Sequence, residues 1–226
     1  MELLVITLVQ ANPAREGDAM ARIRLIADSV RNAPGLLNAR FYRGKRPDIS
    51  YFILTTWENS EWWQKMQERH DPQLLLLNSP PGVFLAPPDQ WLMQYIWGYS
   101  RPLAQAVIVA AHLALIRSDQ TARVQQVWLE SLRQQAAEPI LAFALLARSL
   151  EEAPERAAYA AKMPSQLLQI PATQRRPAGQ RPMFLNLLSW PSEAYQEDFY
   201  AHEQYQRRQE LLNSAGFMRI LKLDPL

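Results

Sequence analysis

At 226 residues, nearly half of them hydrophobic and seven of them tryptophan, the chain has material for one large or two ordinary domains. Its 24 basic and 22 acidic side chains leave a net charge of +2, too weak a field to point to nucleic acid. There is no cysteine, which excludes disulfides, thiolate nucleophiles and iron–sulfur ligation; with no basic leader and no apolar run of spanning length, a cytoplasmic protein without a membrane partner is expected.

Residues 3–9 are apolar on both sides and rich in β-branched types, as in a strand covered on both faces. Asn12-Pro13 breaks the strand, and from residue 18 Met20, Ile23, Ile26 and Val30 recur at helical spacing. Pro34-Gly35 stops that helix. Residues 36–43 form a second strand, with Asn38, Arg40 and Tyr42 on one side and Leu37, Ala39 and Phe41 on the other. A short loop at 44–48 leads to a third strand at 51–57, and Ser60 is placed to cap a helix over 61–70. Residues 71–89, with Leu74 to Leu77 and two proline pairs, read as an irregular packed crossing. Trp91, Met93, Tyr95 and Trp97 alternate along a fourth strand over 91–99. The order is βαββαβ, the ferredoxin-like split unit.

The pattern then restarts after Arg101-Pro102. A strand over 104–116, a helix over 119–137 and strands over 140–150 and 183–190 follow, then one long helix over 192–212 and a last strand over 217–223. Trp57 and Trp190 end equivalent strands, and an ungapped alignment sets Val5 opposite Val109. The predicted division is 1–100 and 101–226, with a basic, proline-rich insertion at about 151–182 that carries Arg175, Arg176 and Arg181. One such unit leaves a sheet face uncovered, yet these strands are apolar on both faces. The fold class predicted is therefore α+β, two tandem ferredoxin-like units pairing their antiparallel sheets into a barrel. Such a chain is a monomer acting as its own pseudo-dimer, or a homodimer.

The stretch Thr55-Thr56-Trp57-Glu58-Asn59-Ser60-Glu61, its aromatic helix reaching His70, and the later Ser189-Trp190-Pro191-Ser192-Glu193 with His202 resemble the antibiotic biosynthesis monooxygenase (ABM) domain of the dimeric α+β barrel superfamily. The resemblance implies a pocket between sheet and helix. It also implies cofactor-independent oxidation of an aromatic or quinone-like small molecule, with His70 and Trp63 catalytic and Trp57, Trp62, Asn38, Arg40 and Tyr95 binding substrate. The alternative it implies is a non-catalytic, haem-binding or haem-degrading barrel. For haem the asparagine of the first strand has no clean match, since that strand ends Gln10-Ala11-Asn12.

Each candidate also has a plain structural account. Trp57 and Trp190 suit packing anchors. Trp62 and Trp63 point about 100° apart on a helix, so one packs and the other meets a pocket or partner surface. His70 and His202 suit a helix C-terminus through the dipole, while an imidazole also serves as a base or haem ligand. His112 reads as a satisfied core histidine. Asn38 and Arg40 either edge a pocket or face water, and the apolar Ala142 and Ala144 of the second copy place any site in the first. No glycine-rich phosphate loop, metal-ligand spacing or Gly-x-Ser-x-Gly turn is present.

Overall fold

In a computed structural model of the chain, residues 2–45, 49–102, 107–138, 140–150 and 181–226 are described. Most of the basic insertion and part of the loop at 44–48 lie outside them. The first set of elements is β1 (Leu3–Gln10), α1 (Glu16–Arg31), β2 (Leu36–Gly44), β3 (Ser50–Trp57), α2 (Ser60–His70), α3 (Pro72–Leu77) and β4 (Asp89–Ser100). The second is β5 (Ile108–Ile116), α4 (Thr121–Ala137), β6 (Phe143–Ser149), β7 (Met183–Trp190), α5 (Glu193–Ala201), α6 (Glu203–Ala215) and β8 (Gly216–Pro225). Both follow the expected βαββαβ order, the second helical segment of each being broken in two.

All pairings are antiparallel. β1 lies between β3 and β4, with β2 beyond β3; β5 lies between β7 and β8, with β6 beyond β7. Hydrogen-bonded neighbours run β1-β3-β2-β8-β5-β7-β6-β4, a closed barrel supplied by one chain, as the two-faced burial predicts. By compactness the described residues divide into two units, 2–94 with Leu150 and Pro225–Leu226, and 95–149 with 181–224.

In the first unit, Ala19, Ile23, Ile26 and Val30 of α1 pack on Val9, Phe41, Tyr51 and Ile53. A neighbouring cluster joins Leu3, Val5, Trp57 and Trp63. Each such aliphatic side chain contributes about 1.5–3 kcal/mol by leaving water. In the second unit, Val124, Trp128 and Leu132 of α4 pack with Phe199, Tyr205 and Leu212 and with the sheet residues Phe184, Leu188 and Trp190.

Several local expectations are corrected. Asn59, not Ser60, caps α2: its side chain accepts from the Trp62 N–H at 3.0 Å. The crossing at 71–89 opens with a helix, α3. Asp71 caps it and Pro72 takes the first position, where a missing N–H costs nothing. The expected long helix over 192–212 is two helices. At the break His202 has extended backbone, and its Nδ1 accepts from the Gln204 N–H at 3.3 Å. His202 therefore stands between two helices, following the last residue of α5 and capping the start of α6.

The pairing register corrects the alignment of the copies. Leu3 sits opposite Trp57, and Ile108 opposite Trp190. With the tryptophans matched, Val5 corresponds to Ala110, one residue from the sequence alignment. One residue is the difference between two faces of a strand. It makes Thr7 the counterpart of His112, and Ile53 the counterpart of Asn186.

Candidate functional site

On β5 the residues that share a face with the helix-packed core are Ile108, Ala110, His112, Ala114 and Ile116. Two alanines flank the histidine, so large rings from the helices can close over it. Its cross-strand partner is Asn186, also fully buried. The first unit has Thr7 and Ile53 at these places. An imidazole and an amide at the centre of an apolar face are therefore peculiar to the second unit.

Above that pair stand Tyr200 from α5 and Tyr205 and Arg208 from α6. The Tyr200 hydroxyl lies 3.0 Å from His112 Nε2, with the rings stacked at 5.9 Å. Tyr205 meets His112 edge-on at 6.2 Å and Tyr200 at 4.9 Å. Trp190 and Phe199 close the other side, 5.7 and 5.5 Å from Tyr200. The break at His202 lets Tyr200 and Tyr205 both turn inward, five residues apart, from two differently directed helices.

Arg208 is only 1% exposed. Its guanidinium carbon lies 4.8 Å from the Tyr205 ring centre and 5.6 Å from those of Trp128 and Phe199. Nη1 donates to Ser131 Oγ at 3.4 Å; Nε and Nη2 have no partner among the described residues. Gln135, one turn beyond Ser131 on the buried face of α4, has no partner for either amide atom, and Gln196 none for its Nε2.

Burial, and next the positive charge of Arg208, push the His112 pKa down to about 3, so the imidazole is neutral at physiological pH. Burial raises both the Tyr200 and the Tyr205 hydroxyl, Tyr200 well above the usual range, and keeps them protonated. Burial lowers Arg208 to about 10, which leaves it charged. The cluster thus holds one neutral base, two phenols and one uncompensated cation. Unlike a satisfied core histidine, His112 has an Nδ1 without a partner among the described residues. Among those residues no group of three or more acidic or histidine side chains is placed to hold a metal ion.

The residues singled out in the first unit are placed differently. Trp63 and Trp57 are fully buried and pack at 5.3 Å, with the Trp57 indole N–H donating to Thr55 Oγ1 at 3.0 Å. Trp62 lies half-buried over the left-handed turn at Gly35, where a Cβ would come within 2.4 Å of its Cγ. His70 is half-buried, its Nδ1 2.9 Å from the Ser29 carbonyl. Asn38 is exposed, Arg40 half-buried, and Tyr95, 46% exposed, falls in the second unit. A β-bulge between Leu36 and Asn38 separates these positions from strict alternation. Sequence reasoning missed Arg208, Tyr200 and Tyr205. The available signal was an arginine on the stripe Tyr205, Arg208, Leu212, at the i, i+3, i+7 spacing of a buried helix face.

No family model matches the sequence, and no curated protein does. Solved structures do. A presumed monooxygenase from Fusobacterium nucleatum is 6% identical over 100% of this chain and 92% of its own, with a TM-score of 0.69. An anthrone oxidase-like protein is 8% identical over 100% and 91%, also with a TM-score of 0.69. A structure described as a major regulator of staphylococcal pathogenesis is 7% identical over 98% of each chain, at 0.53. At such identities the likeness is one of fold alone: this chain shares the fold of these solved structures, with all eight strands in one polypeptide.

Proposed function

We propose that the protein is an ABM-type oxygenase acting without a cofactor on an aromatic or quinone-like small molecule, with its reacting groups in the second unit. One observation carries this reading: a neutral, buried imidazole bonded to a tyrosine, ringed by aromatic side chains and lying near an unpaired cation. For an anthrone-type substrate, a ring methylene proton passes to His112 Nδ1. The carbanion gives one electron to dioxygen, and recombination yields a hydroperoxide. Loss of the second methylene proton and cleavage of the O–O bond leave the ketone and one water, so CH2 and O2 become C=O and H2O. Charge developing on a substrate without an acid group, such as anthrone, is stabilised by Arg208. Taking a proton from a phenol-like acid of pKa about 10 onto a base of pKa about 3 costs roughly 10 kcal/mol. That fits beneath the barrier of about 17 kcal/mol for one turnover per second. The same ceiling is reached for an acid of pKa about 15, which restricts the class to molecules whose carbanions are delocalised.

The test is oxygen uptake with anthrone by protein stripped of metals and flavin. Uptake is expected, and His112→Leu and Tyr200→Phe each lower kcat, His112→Leu by about 10²–10⁴-fold. No uptake across a panel of anthrones and hydroquinones, or full activity in His112→Leu, overturns the reading.

A second reading, haem binding in the first unit, is favoured by His70. A carbonyl only accepts, so Nδ1 carries the proton and donates to Ser29, which leaves the Nε2 lone pair for a metal. Added haem then gives a shifted Soret band that disappears in His70→Ala; an unshifted band excludes it.

A further inference from the structure

We propose that Arg208, Ser131 and Gln135 form a carboxylate subsite between α4 and α6, so that the aromatic substrate of the neighbouring His112–Tyr200 pair carries an acid group. The inference rests on the oxygenase reading for the rest of the substrate, and on its own geometry for the anion.

Arg208 is a buried guanidinium with two nitrogens, Nε and Nη2, that meet no acceptor, and no carboxylate pairs with it among the described residues. A buried cation left in that condition is costly unless a counter-charge completes it. Nε and Nη2 lie along one edge of the guanidinium plane, the edge that receives both oxygens of a carboxylate in parallel. Three rings hold the plane: Tyr205, Trp128 and Phe199. The side chain is therefore pre-organised, and little rotamer freedom remains to be lost on binding.

The neighbours match an anion too. Ser131 accepts from Nη1 and keeps its own hydroxyl hydrogen to donate. Gln135, fully buried on the same helix face, offers a free amide N–H2 and a free carbonyl, the latter suited to a hydroxyl beside the acid. One positive charge answers a single negative one. Carboxylate fits better than phosphate, which carries more charge than the one cation answers. Two of the rings that cage Arg208, Tyr205 and Phe199, also contact Tyr200, and Tyr205 contacts His112, so an aromatic acid can place its carboxylate on Arg208 and its ring beside the imidazole.

The experiment is a fluorescence titration of the full-length protein with anthracene-9-carboxylate and with its neutral isostere anthracene-9-carboxamide. The acid is expected to bind at least tenfold more tightly than the amide. Arg208→Met is expected to fold, because it removes an unpaired buried charge, and to abolish that preference while leaving carboxamide affinity within twofold. Arg208→Lys keeps the charge but loses the two-point edge, and retains only part of the preference. Equal binding of acid and amide, no binding of either, an unchanged preference in Arg208→Met, or displacement of the acid by millimolar inorganic phosphate overturns the proposal. The two readings fail separately. Anthrone oxidation without acid preference removes the subsite alone, and acid preference without oxygen uptake removes the oxygenase alone.

Discussion

Lowering the pH from 6.5 to 4.5 is expected to cost the protein about 2 kcal/mol of stability through His112 alone, the slope approaching roughly 1.4 kcal/mol per pH unit once the unfolded histidine is fully protonated. The sign follows from the direction of the shift. His112 has an ordinary affinity for protons when unfolded and a folded pKa of about 3. Between those values the unfolded chain binds a proton that the folded chain refuses, so acid favours unfolding. The stabilising difference is complete above pH 6.5 and is lost as the pH falls towards the folded pKa. Arg208 strengthens the effect, because its charge stands against a second cation in the same cluster. Urea midpoints measured between pH 7 and pH 4.5 on the wild type and on His112→Leu check it. The variant should lose the one-proton slope while keeping the slope of the surface carboxylates; parallel curves would mean that His112 is solvated.

Trp190→Ala should be among the most damaging core truncations, at about 3–5 kcal/mol. Trp190 is fully buried and packs at 5.2 Å on Phe199 and 5.7 Å on Tyr200. Its removal leaves a cavity beside the tyrosine that holds His112. Trp57→Ala removes a side chain of the same size from the first unit, where its partners are Trp63 and Thr55. The two variants should lose comparable stability in thermal unfolding. They should part in catalysis: at a temperature where both are folded, Trp190→Ala loses kcat and Trp57→Ala keeps most of it. Equal losses would place the reacting groups elsewhere.

Much of the architecture was legible because it is written in side-chain alternation. β1 is apolar on both faces in the sequence and buried on both in the structure. Trp57 and Trp190 mark matching strand ends, and that pair announces the duplication. What the pattern did not convey was register. Val and Ala are both small and apolar, so a one-residue slip of Val5 between Val109 and Ala110 changes no hydrophobic pattern, yet it reverses the face on which His112 points. The break at His202 was hidden for a related reason: a histidine side chain rarely caps a helix, so the stretch 192–212 reads as continuous. Arg208 was passed over because a charged residue on a helix is ordinarily solvated, as its neighbour Arg207 is, exposed and paired with Glu203; only the apolar stripe on which Arg208 lies sets it apart. The motif Trp62-Trp63…His70 drew the site towards the first unit, where the tryptophans bury themselves against Trp57 and Gly35.

The proposed reaction belongs to the second unit rather than the first. A crystal structure of the protein soaked with anthracene-9-carboxylate tests that most directly. The ring should lie against Tyr200, Tyr205 and Phe199, with both carboxylate oxygens on Arg208 Nε and Nη2. Ligand density beside Trp62 and His70, with the His112 cluster closed and empty, would contradict it.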